Sequence, residues 1–541
     1  MRLRSTLACV ALLLALSAAG ASVASLQISA QAIAVPAGGN LQQAIDAARP
    51  GDTITLDPGA TYVGNFVLPV KQGNQFITIR TSAASGQPAA GERVTPDHAP
   101  QLAKIRSPNG SAALRTAAGA HHWRLELLEF QANNRGTNDI ILLGDGSTAQ
   151  TDLQQVPFEL VVDRCFIHGD PDAGQKRGIA LNSASTSIVN SHLSDMKVVG
   201  QDSQAIGGWN GPGPFLIENN FLEAAGENFL LGGADPAIPN LIPSDVTFRK
   251  NLLSKPIEWR KQRWQVKNLF ELKNARRVLI EGNVFEYNWH AAQTGFAIVL
   301  TPRNSGGRAP WAVVEDVTFR LNVVRHVAAV FNLLGTDNTA PSGQLRRVTI
   351  ANNLFADVDH RAFGGNGAFL QVGDGPSDVR VEHNTIIHSG NVISAYGGTR
   401  DRPIPIVGLT YRDNLSRHNQ YGVIGQSRAF GNDTLSVFFP GALFTNNVLA
   451  GGNGSRYPGG NFFPGMSEFE SQFADFNNGD YRLATSSRYR RGASDGTDLG
   501  ANLDSLEKVV GVEALRERHE RQPRPPRIPK GAGGSGGSGG Q

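Results

Sequence analysis

Short runs of hydrophobic residues alternate with breaks that contain Gly and Asn along most of the chain. In residues 277–300, Val278 and Ile280 lead to Asn283, a second apolar run follows, and a third covers positions 296–300. These runs are too short for helices, and the breaks interrupt any helical period. The pattern therefore predicts short β-strands in groups of three.

The three-strand group recurs as a repeat. One residue, which we call the pivot, follows the first apolar run of each group. The pivots are Cys165, His192, Asn220, Asn251, Asn283, Asn322, Asn353, Asn384, Asn414 and Asn447, at intervals of 27 to 39 residues. Such a repeat without helices predicts a coil of parallel strands in which each turn stacks on the next. We expect the pivot Asn to adopt a left-handed turn and to bond neighbouring coils through its amide.

On this repeat, residues 35–500 resemble the right-handed parallel β-helix proteins of the pectate-lyase-like superfamily. The resemblance implies an all-β solenoid with a single domain. That superfamily includes lyases, glycoside hydrolases, epimerases, esterases and phage or surface adhesins, so the resemblance implies a fold and leaves several activities open.

The two ends of the chain depart from the repeat. Residues 1–24 combine two arginines, an apolar core and a small-residue cleavage site near Ala24, which predicts a secretory signal peptide and no integral membrane segment. Residues 39–50 predict an amphipathic helix that covers the first coil. Residues 501–519 predict a short helix, and residues 520–541, rich in Pro and Arg and then in Gly and Ser, predict a disordered tail.

Composition narrows the classes of partner. The formal net charge is +3, and loss of Arg2 and Arg4 with the signal peptide leaves +1. This balance argues against nucleic acid as a partner. Removal of Cys9 leaves Cys165 alone, which excludes an internal disulfide. We expect a monomer that is secreted to the extracellular space or the periplasm.

Polar, charged and aromatic residues concentrate in three consecutive coils. Alternation places Phe270 and Leu272 inward, so Glu271 and Lys273 point outward. The candidates are Glu223 and Glu227 in the first coil, Trp259, Arg260, Trp264, Lys267, Glu271 and Lys273 in the second, and Trp289, His290, Gln293, Arg303 and Asn304 in the third. Because adjacent coils are about 4.8 Å apart, these groups are expected within one sugar-binding site.

This mixture of residues suits an acidic polysaccharide as the partner. Lys and Arg bind uronate carboxylates, and the rings of Trp259 and Trp289 are expected to stack on sugars beside the polar groups of the third coil. Elimination at a uronate needs a base and a group that neutralises the carboxylate. Lys267 or Lys273 is the first candidate for base or clamp beside Glu271, and Arg260 is the alternative.

The resemblance also implies calcium, which many members of the superfamily hold with acidic side chains. Glu223 and Glu227, with Glu271, are the candidate ligands here. No calcium loop of alternating acids is present in the sequence.

Two other functions stay open. A glycoside hydrolase that inverts needs two carboxylates about 6.5–9.5 Å apart, and Glu227 and Glu271 are the candidates. A glycan-binding or cell-surface protein needs no catalytic group. The long interval between Asn283 and Asn322 predicts an inserted loop that either forms one wall of a cleft or only covers the coil.

Overall fold

The computed structural model describes residues 30–511 and Leu515. The predicted signal peptide and the predicted C-terminal tail lie outside these residues. No helix of the described part is long and apolar enough to cross a membrane.

Three long parallel sheets, called A, B and C here, account for most of the described chain. Sheet A consists of Ala32–Val35, Thr53–Leu56, Ile77–Thr81, His121–Glu126, Phe158–Asp163, Thr186–Val189, Phe215–Glu218, Ser244–Arg249, Ala275–Glu281, Val314–Arg320, Arg346–Ala351, Ser377–Glu382, Thr410–Arg412 and Leu443–Thr445. Sheet B consists of Thr61–Val63, Ala103–Arg106, Leu128–Gln131, Phe166–His168, His192–Met196, Phe221–Ala224, Leu252–Ser254, Val284–Asn288, Val323–Val327, Leu354–Val358, Thr385–His388, Leu415–Arg417 and Val448–Ala450. Sheet C consists of Phe66–Leu68, Leu114–Thr116, Asp139–Leu143, Arg177–Leu181, Gln204–Gly208, Glu227–Leu231, Asn268–Leu272, Phe296–Leu300, Ala329–Leu334, Leu370–Gly373, Ile393–Tyr396 and Val423–Gly425.

The chain visits the sheets in the order A, B, C in each coil, and every neighbouring pair within these sheets is parallel. The predicted right-handed parallel β-helix is therefore confirmed. Inward side chains of all three sheets form one continuous hydrophobic core that extends from Val35 to Tyr457. Aromatic rings stack along it, with Phe229 and Phe270 centred 5.2 Å apart and Phe285 and Phe319 5.5 Å apart.

The corner between sheets A and B carries a ladder of buried asparagines. The Nδ2 of Asn251 donates to the Oδ1 of Asn283 at 3.0 Å, and Asn283 donates in the same way to Asn322 at 3.0 Å. The same Asn251 amide also donates to the carbonyl oxygen of Ile217 at 2.9 Å. The ladder continues through Asn353, Asn384, Asn414, Asn447 and Asn461. These bonds satisfy polar groups that water cannot reach, so they fix the stacking of successive coils.

The structure corrects two details of this corner. The left-handed residue is the one before each ladder residue, for example Lys250 with φ 57° and Leu321 with φ 53°, because the chain turns before the Asn side chain enters the corner. The ladder position in the second group is Ser191, whose hydroxyl accepts from the Cys165 amide at 3.0 Å. His192 instead begins the following strand of sheet B.

A second ladder of alternating charge lies at the start of the sheet A strands. Asp245, Arg277, Asp316, Arg347 and Asp378 occupy matching positions in successive coils, all with φ between 54° and 60°. Arg277 Nε lies 2.6 Å from Asp245 Oδ1, and Arg347 Nε lies 2.5 Å from Asp316 Oδ1. Neighbouring coils therefore present opposite charges to each other.

Short helices and a two-stranded sheet complete the described chain. The α-helices are Leu41–Ala47, His360–Phe363, Asn432–Phe438, Met466–Glu470 and Leu503–Val510, and the 3-10 helices are Pro96–Gln101, Leu153–Gln155, Ile257–Lys261, Gly454–Arg456 and Phe476–Asn478. The antiparallel strands are Phe473–Asp475 and Asp480–Leu483.

The two terminal helices cover apolar surface of the solenoid. Asn40 caps the first helix by accepting from the amide of Gln43, and Leu41 and Ile45 bury its apolar side against the first coils. In the last helix, Leu503 and Leu506 pack on the outer face of sheet B.

Candidate functional site

A row of polar side chains crosses the outer face of sheet C. Asp139, Arg177, Gln204, Glu227 and Asn268 each begin a strand and are register neighbours. Arg177 contacts Asp139 at 2.8 Å and donates from Nε to Gln204 Oε1 at 2.9 Å. Gln204 Nε2 then donates to Glu227 Oε2 at 2.8 Å. This chain of bonds holds Glu227 in one orientation.

Two buried carboxylates in this region are each paired with a lysine. Lys267 Nζ lies 3.5 Å from Glu227 Oε1 and 2.5 Å from Asp202 Oδ2, and Lys273 Nζ lies 3.3 Å from Glu271 Oε1. The side chains of Glu227 and Glu271 are 0% and 3% exposed, whereas those of Lys267 and Lys273 are 14% and 19% exposed. A ligand on this face therefore meets the ammonium groups before the carboxylates.

Burial and neighbouring charge shift the protonation of this cluster. Burial, together with the charges of Glu271 and Asp202, raises the pKa of Glu227 to about 7, although Lys267 and Lys273 act in the opposite direction. Burial disfavours the charged form of Lys267, but Glu227 and Asp202 outweigh burial and raise its pKa. Lys267 is therefore a permanent positive charge near neutral pH, as a carboxylate clamp requires.

Two amide side chains complete the cluster. Asn268 Nδ2 donates to Glu271 Oε2 at 3.1 Å and to Gln293 Oε1 at 3.4 Å. The Oδ1 of Asn268 and the Oε1 of Glu227 are buried and accept no hydrogen bond. Glu227 Oε1 still has the ammonium group of Lys267 at 3.5 Å. A buried oxygen without a hydrogen bond is costly and marks a place where a further donor is favourable.

The donors at this point fit a hard divalent cation in chemical type, because Glu227, Glu271 and Asn268 all offer oxygen. They do not include Glu223, which lies on the sheet B strand Phe221–Ala224 and accepts from the Asp195 amide at 2.9 Å. In the described part of the chain, no three side chains of His, Cys, Asp or Glu form a group that could hold a metal ion. Calcium here would have only the carboxylates of Glu227 and Glu271 and the amide of Asn268 as ligands. Both carboxylates are already paired with lysines.

The tryptophans predicted as sugar platforms are buried at the corner between sheets B and C. Trp259 and Trp289 are each 3% exposed and Trp264 is 9% exposed, in one cluster with Phe363. Lys197 Nζ lies 5.0 Å and 5.3 Å from the rings of Trp259 and Trp264. These rings pack the loop 255–267 onto the corner, so no face of Trp259 or Trp289 is open to a sugar here.

The remaining candidates lie around the cluster rather than within it. Arg260 donates to the carbonyl oxygen of Ala362 at 2.9 Å, and His290 is exposed at the same corner. Arg303 Nη1 contacts Asp337 Oδ1 at 2.9 Å, and the buried Asn304 donates to the Pro341 carbonyl oxygen at 2.8 Å. Arg303 and Asn304 thus hold the inserted loop in place.

The structure therefore brings together Lys267, Glu271, Lys273, Glu227 and Gln293. Sequence reasoning missed their partners Asp202, Gln204 and Asn268. Alternation from Glu271 placed Asn268 on the inward side with Phe270, whereas in the structure Leu269 and Phe270 both enter the core and Asn268 faces Glu271. Asp202 and Gln204 carried no signal in the sequence, because their contacts depend on the register between coils.

No protein-family model matches the chain, and no curated protein matches it either. Solved structures do. The PL6 family alginate lyase AlyGC aligns with a TM-score of 0.53 and 16% sequence identity over 93% of this chain and 60% of that chain. The chain thus spans about 60% of the length of that enzyme.

Two further solved structures align with lower scores. A mannuronic acid specific polysaccharide family 6 lyase from human gut microbiota has a TM-score of 0.48 and 14% identity, over 80% of this chain and 91% of that chain. The tailspike protein of E. coli bacteriophage HK620 has a TM-score of 0.41 and 14% identity, over 77% of this chain and 62% of that chain. At 16% identity, the likeness to the alginate lyase AlyGC shows the parallel β-helix fold alone.

Proposed function

We propose that this protein is a lyase that cleaves a uronate-containing polysaccharide by β-elimination on the outer face of sheet C. The observation that carries the proposal is the pair of partly exposed lysines, Lys267 and Lys273, held beside buried glutamates on one face. A fixed positive charge and a lysine amine are the two groups that elimination at a uronate requires.

Each lysine has its own role in the proposed reaction. Lys267, held positive by Glu227 and Asp202, binds the uronate carboxylate and makes the adjacent C–H bond more acidic. Lys273 is the proposed base that accepts that proton. The electrons of the C–H bond form a C=C bond, the glycosidic C–O bond breaks, and the leaving oxygen takes a proton from water.

Burial argues against hydrolysis as the primary activity. In the inverting mechanism one carboxyl group contacts the glycosidic oxygen and the other contacts a water molecule. Glu227 and Glu271 are 0% and 3% exposed and lie beneath Lys267 and Lys273, so neither reaches a sugar in this arrangement. A glycan-binding protein is the alternative without chemistry, and it would use the same face.

The fold likeness suggests where to look for the substrate. The solved structure that aligns with a TM-score of 0.53 is an alginate lyase, so alginate is the first polysaccharide to test. Polygalacturonate and glucuronate-containing polymers extend the panel. We further propose that the protein acts outside the cytoplasm, as its predicted signal peptide suggests.

The experiment follows the ultraviolet absorbance of the unsaturated product during incubation with this panel, with calcium and with a chelator. We expect absorbance to rise with one polymer and Lys267→Met to lose most of this activity. Lys250→Met is the matched control, since that side chain is 53% exposed away from sheet C. New reducing ends without absorbance would instead indicate hydrolysis, and binding without product would indicate a glycan-binding protein.

A further inference from the structure

Lys255 is a fully buried lysine that the proposed reaction does not use. It directly follows the sheet B strand Leu252–Ser254 and begins the loop 255–267. Its Nζ lies between 2.6 Å and 3.1 Å from five oxygen atoms. Lysine is almost never fully buried without partners, so this environment is specific to the position.

The five oxygens surround the ammonium from two coils. They are the carbonyl oxygens of Ala224 at 2.6 Å, Ala225 at 3.1 Å, Gly226 at 2.9 Å and Asn268 at 2.9 Å, and the Oδ1 of Asn228 at 2.8 Å. An ammonium group has three N–H donors, so five acceptors exceed its hydrogen-bonding capacity. The arrangement is an oxygen shell around a cation, of the kind that also suits potassium or free ammonium.

The shell is built from the backbone that carries the candidate site. Gly226 immediately precedes Glu227, and Asn268 is the register neighbour of Glu227 on the next strand of sheet C. Lys255 also joins the two ends of the loop that presents Lys267, because its bond to Asn268 spans that loop. Burial lowers the pKa of Lys255 to about 7, whereas the carboxylates of Glu227 and Glu223 favour its charged form.

We propose that the Lys255 ammonium is an internal cation that positions Glu227, Asn268 and Lys267 by gathering the carbonyl oxygens around them. Lys255 is a positioning residue, since its burial keeps it away from any substrate. The effect on catalysis rests on the proposed lyase function, whereas the oxygen shell is a cation site whether or not the protein is a lyase.

The test is the variant Lys255→Ala, which leaves the five oxygens around an empty space. We expect kcat on the uronate polymer to fall about 100-fold with little change in KM, as displacement of catalytic groups by about 1 Å does. Potassium, ammonium or methylammonium should restore part of kcat and raise Tm. Tetramethylammonium, which is too large for the shell, should do neither at equal ionic strength.

Two variants control this experiment. Lys104→Ala removes another lysine that donates to two carbonyl oxygens, those of Ala99 at 2.8 Å and Leu102 at 3.3 Å. It lies on a sheet B strand several coils before Lys255 and also contacts Glu129 at 2.8 Å. We expect no cation-specific response from it. Lys255→Gln fills the space and keeps two N–H donors, so we expect intermediate kcat and Tm and no recovery with added cations.

Several outcomes would overturn the proposal. One is Lys255→Ala with the kcat and Tm of the unmodified protein, and another is equal recovery with tetramethylammonium. If the unmodified protein makes no unsaturated product, the proposed lyase function is wrong. The cation-specific change in the Tm of Lys255→Ala then still tests whether the five oxygens form a cation site. If Lys255→Ala does not fold, Lys255→Gln decides, because an unchanged Tm there contradicts the proposal.

Discussion

The corner between sheets A and B is regular along the solenoid, whereas the corner between sheets B and C differs in length from coil to coil. At the first, the coils from Asn220 to Asn447 use the same short turn and the same Asn-to-Asn bond. At the second, 2 residues separate Ala224 from Glu227, 13 separate Ser254 from Asn268, and 7 separate Asn288 from Phe296. The corner between sheets A and B, which we call the uniform corner, sets the stacking of the coils. The corner between sheets B and C, which we call the variable corner, can therefore hold chemical groups.

The two corners also differ in how they treat buried polar groups. The asparagine ladder is neutral, and each amide has partners in adjacent coils. The variable corner buries charge, with Lys255 and Glu227 both fully enclosed. Buried charge is costly unless it is paired. The first corner also buries charge, at Asp163, Arg164 and Asp413. At the second corner the buried charge lies beside the partly exposed Lys267, which is why we place the candidate site there.

The largest effect should come from Lys273→Met at the variable corner. It removes the proposed base while keeping a side chain of similar length, and we expect a loss of about 10²–10⁴-fold in kcat, the range for general base catalysis. The measurement is the initial rate of ultraviolet absorbance on the polymer that the unmodified protein degrades. If the Lys273→Met enzyme stays active, Lys273 is not the base.

The uniform corner should be most sensitive to charge. Asn283→Asp places a carboxylate against the carbonyl oxygen of Phe248 and the Oδ1 of Asn322, which now accept from the amide. We expect the free energy of unfolding in urea to fall by about 3–5 kcal/mol, as for an uncompensated buried charge.

Asn461→Asp is the control for the ladder, since Asn461 is only half-buried at its end. A smaller loss is expected there because water solvates the new charge. Equal losses at both positions would mean that burial within the ladder does not set the cost.

Glu227 should give the variable corner a pH-dependent stability. The pKa of this carboxyl rises from its ordinary 4.5 to about 7 in the folded protein. Its protonated form therefore stabilises the fold fully below pH 4.5, and that contribution is lost as the pH rises through 7.

The matched variant for this effect is Glu227→Gln, which cannot ionise. Relative to the unmodified protein, it should gain about 1–3 kcal/mol of stability between pH 4.5 and pH 8, measured by urea unfolding at each pH. Glu223, whose pKa is also raised to about 7 by burial, should leave a residual dependence that Glu223→Gln removes. Identical pH profiles for Glu227→Gln and the unmodified protein would contradict burial of an ionisable group at this position.

The smallest effect should come from the exposed charge ladder on sheet A. Arg277→Ala removes a side chain that is 47% exposed and paired with Asp245, which is 53% exposed. We expect the smallest loss of stability among these variants, and that loss should disappear in high salt. A larger loss that persists in salt would make this ladder a second determinant of coil stacking.

The fold could be predicted from the sequence because the uniform corner requires the same residue type, Asn, at a regular interval. Asn251, Asn283 and Asn322 were assigned correctly from spacing alone. The left-handed residue was misplaced by one position, because Asn tolerates that conformation better than Lys250 or Leu321, which adopt it in the structure. His192 was chosen over Ser191 because no asparagine marked the position.

The candidate site was less accessible to sequence reasoning. Alternation placed Glu271 and Lys273 on the outward face, because the apolar neighbours Phe270 and Leu272 fixed the register. The loop 255–267 gave no comparable signal. Its tryptophans suit an open sugar platform and a packed corner equally well in sequence, and only packing against Phe363 distinguishes them. The role of Lys255 could not be predicted from the sequence, because most of its partners are backbone carbonyl groups, which carry no residue signature.

The alternating charges at Asp245, Arg277, Asp316, Arg347 and Asp378 have a consequence for how such a chain can grow or shrink. Loss of the coil that carries Arg277 would place Asp245 beside Asp316, and like charges would then face each other. Loss of two adjacent coils would leave the alternation intact. The unit in which this part of the solenoid tolerates duplication or deletion is therefore the pair of coils, although the unit of its fold is one.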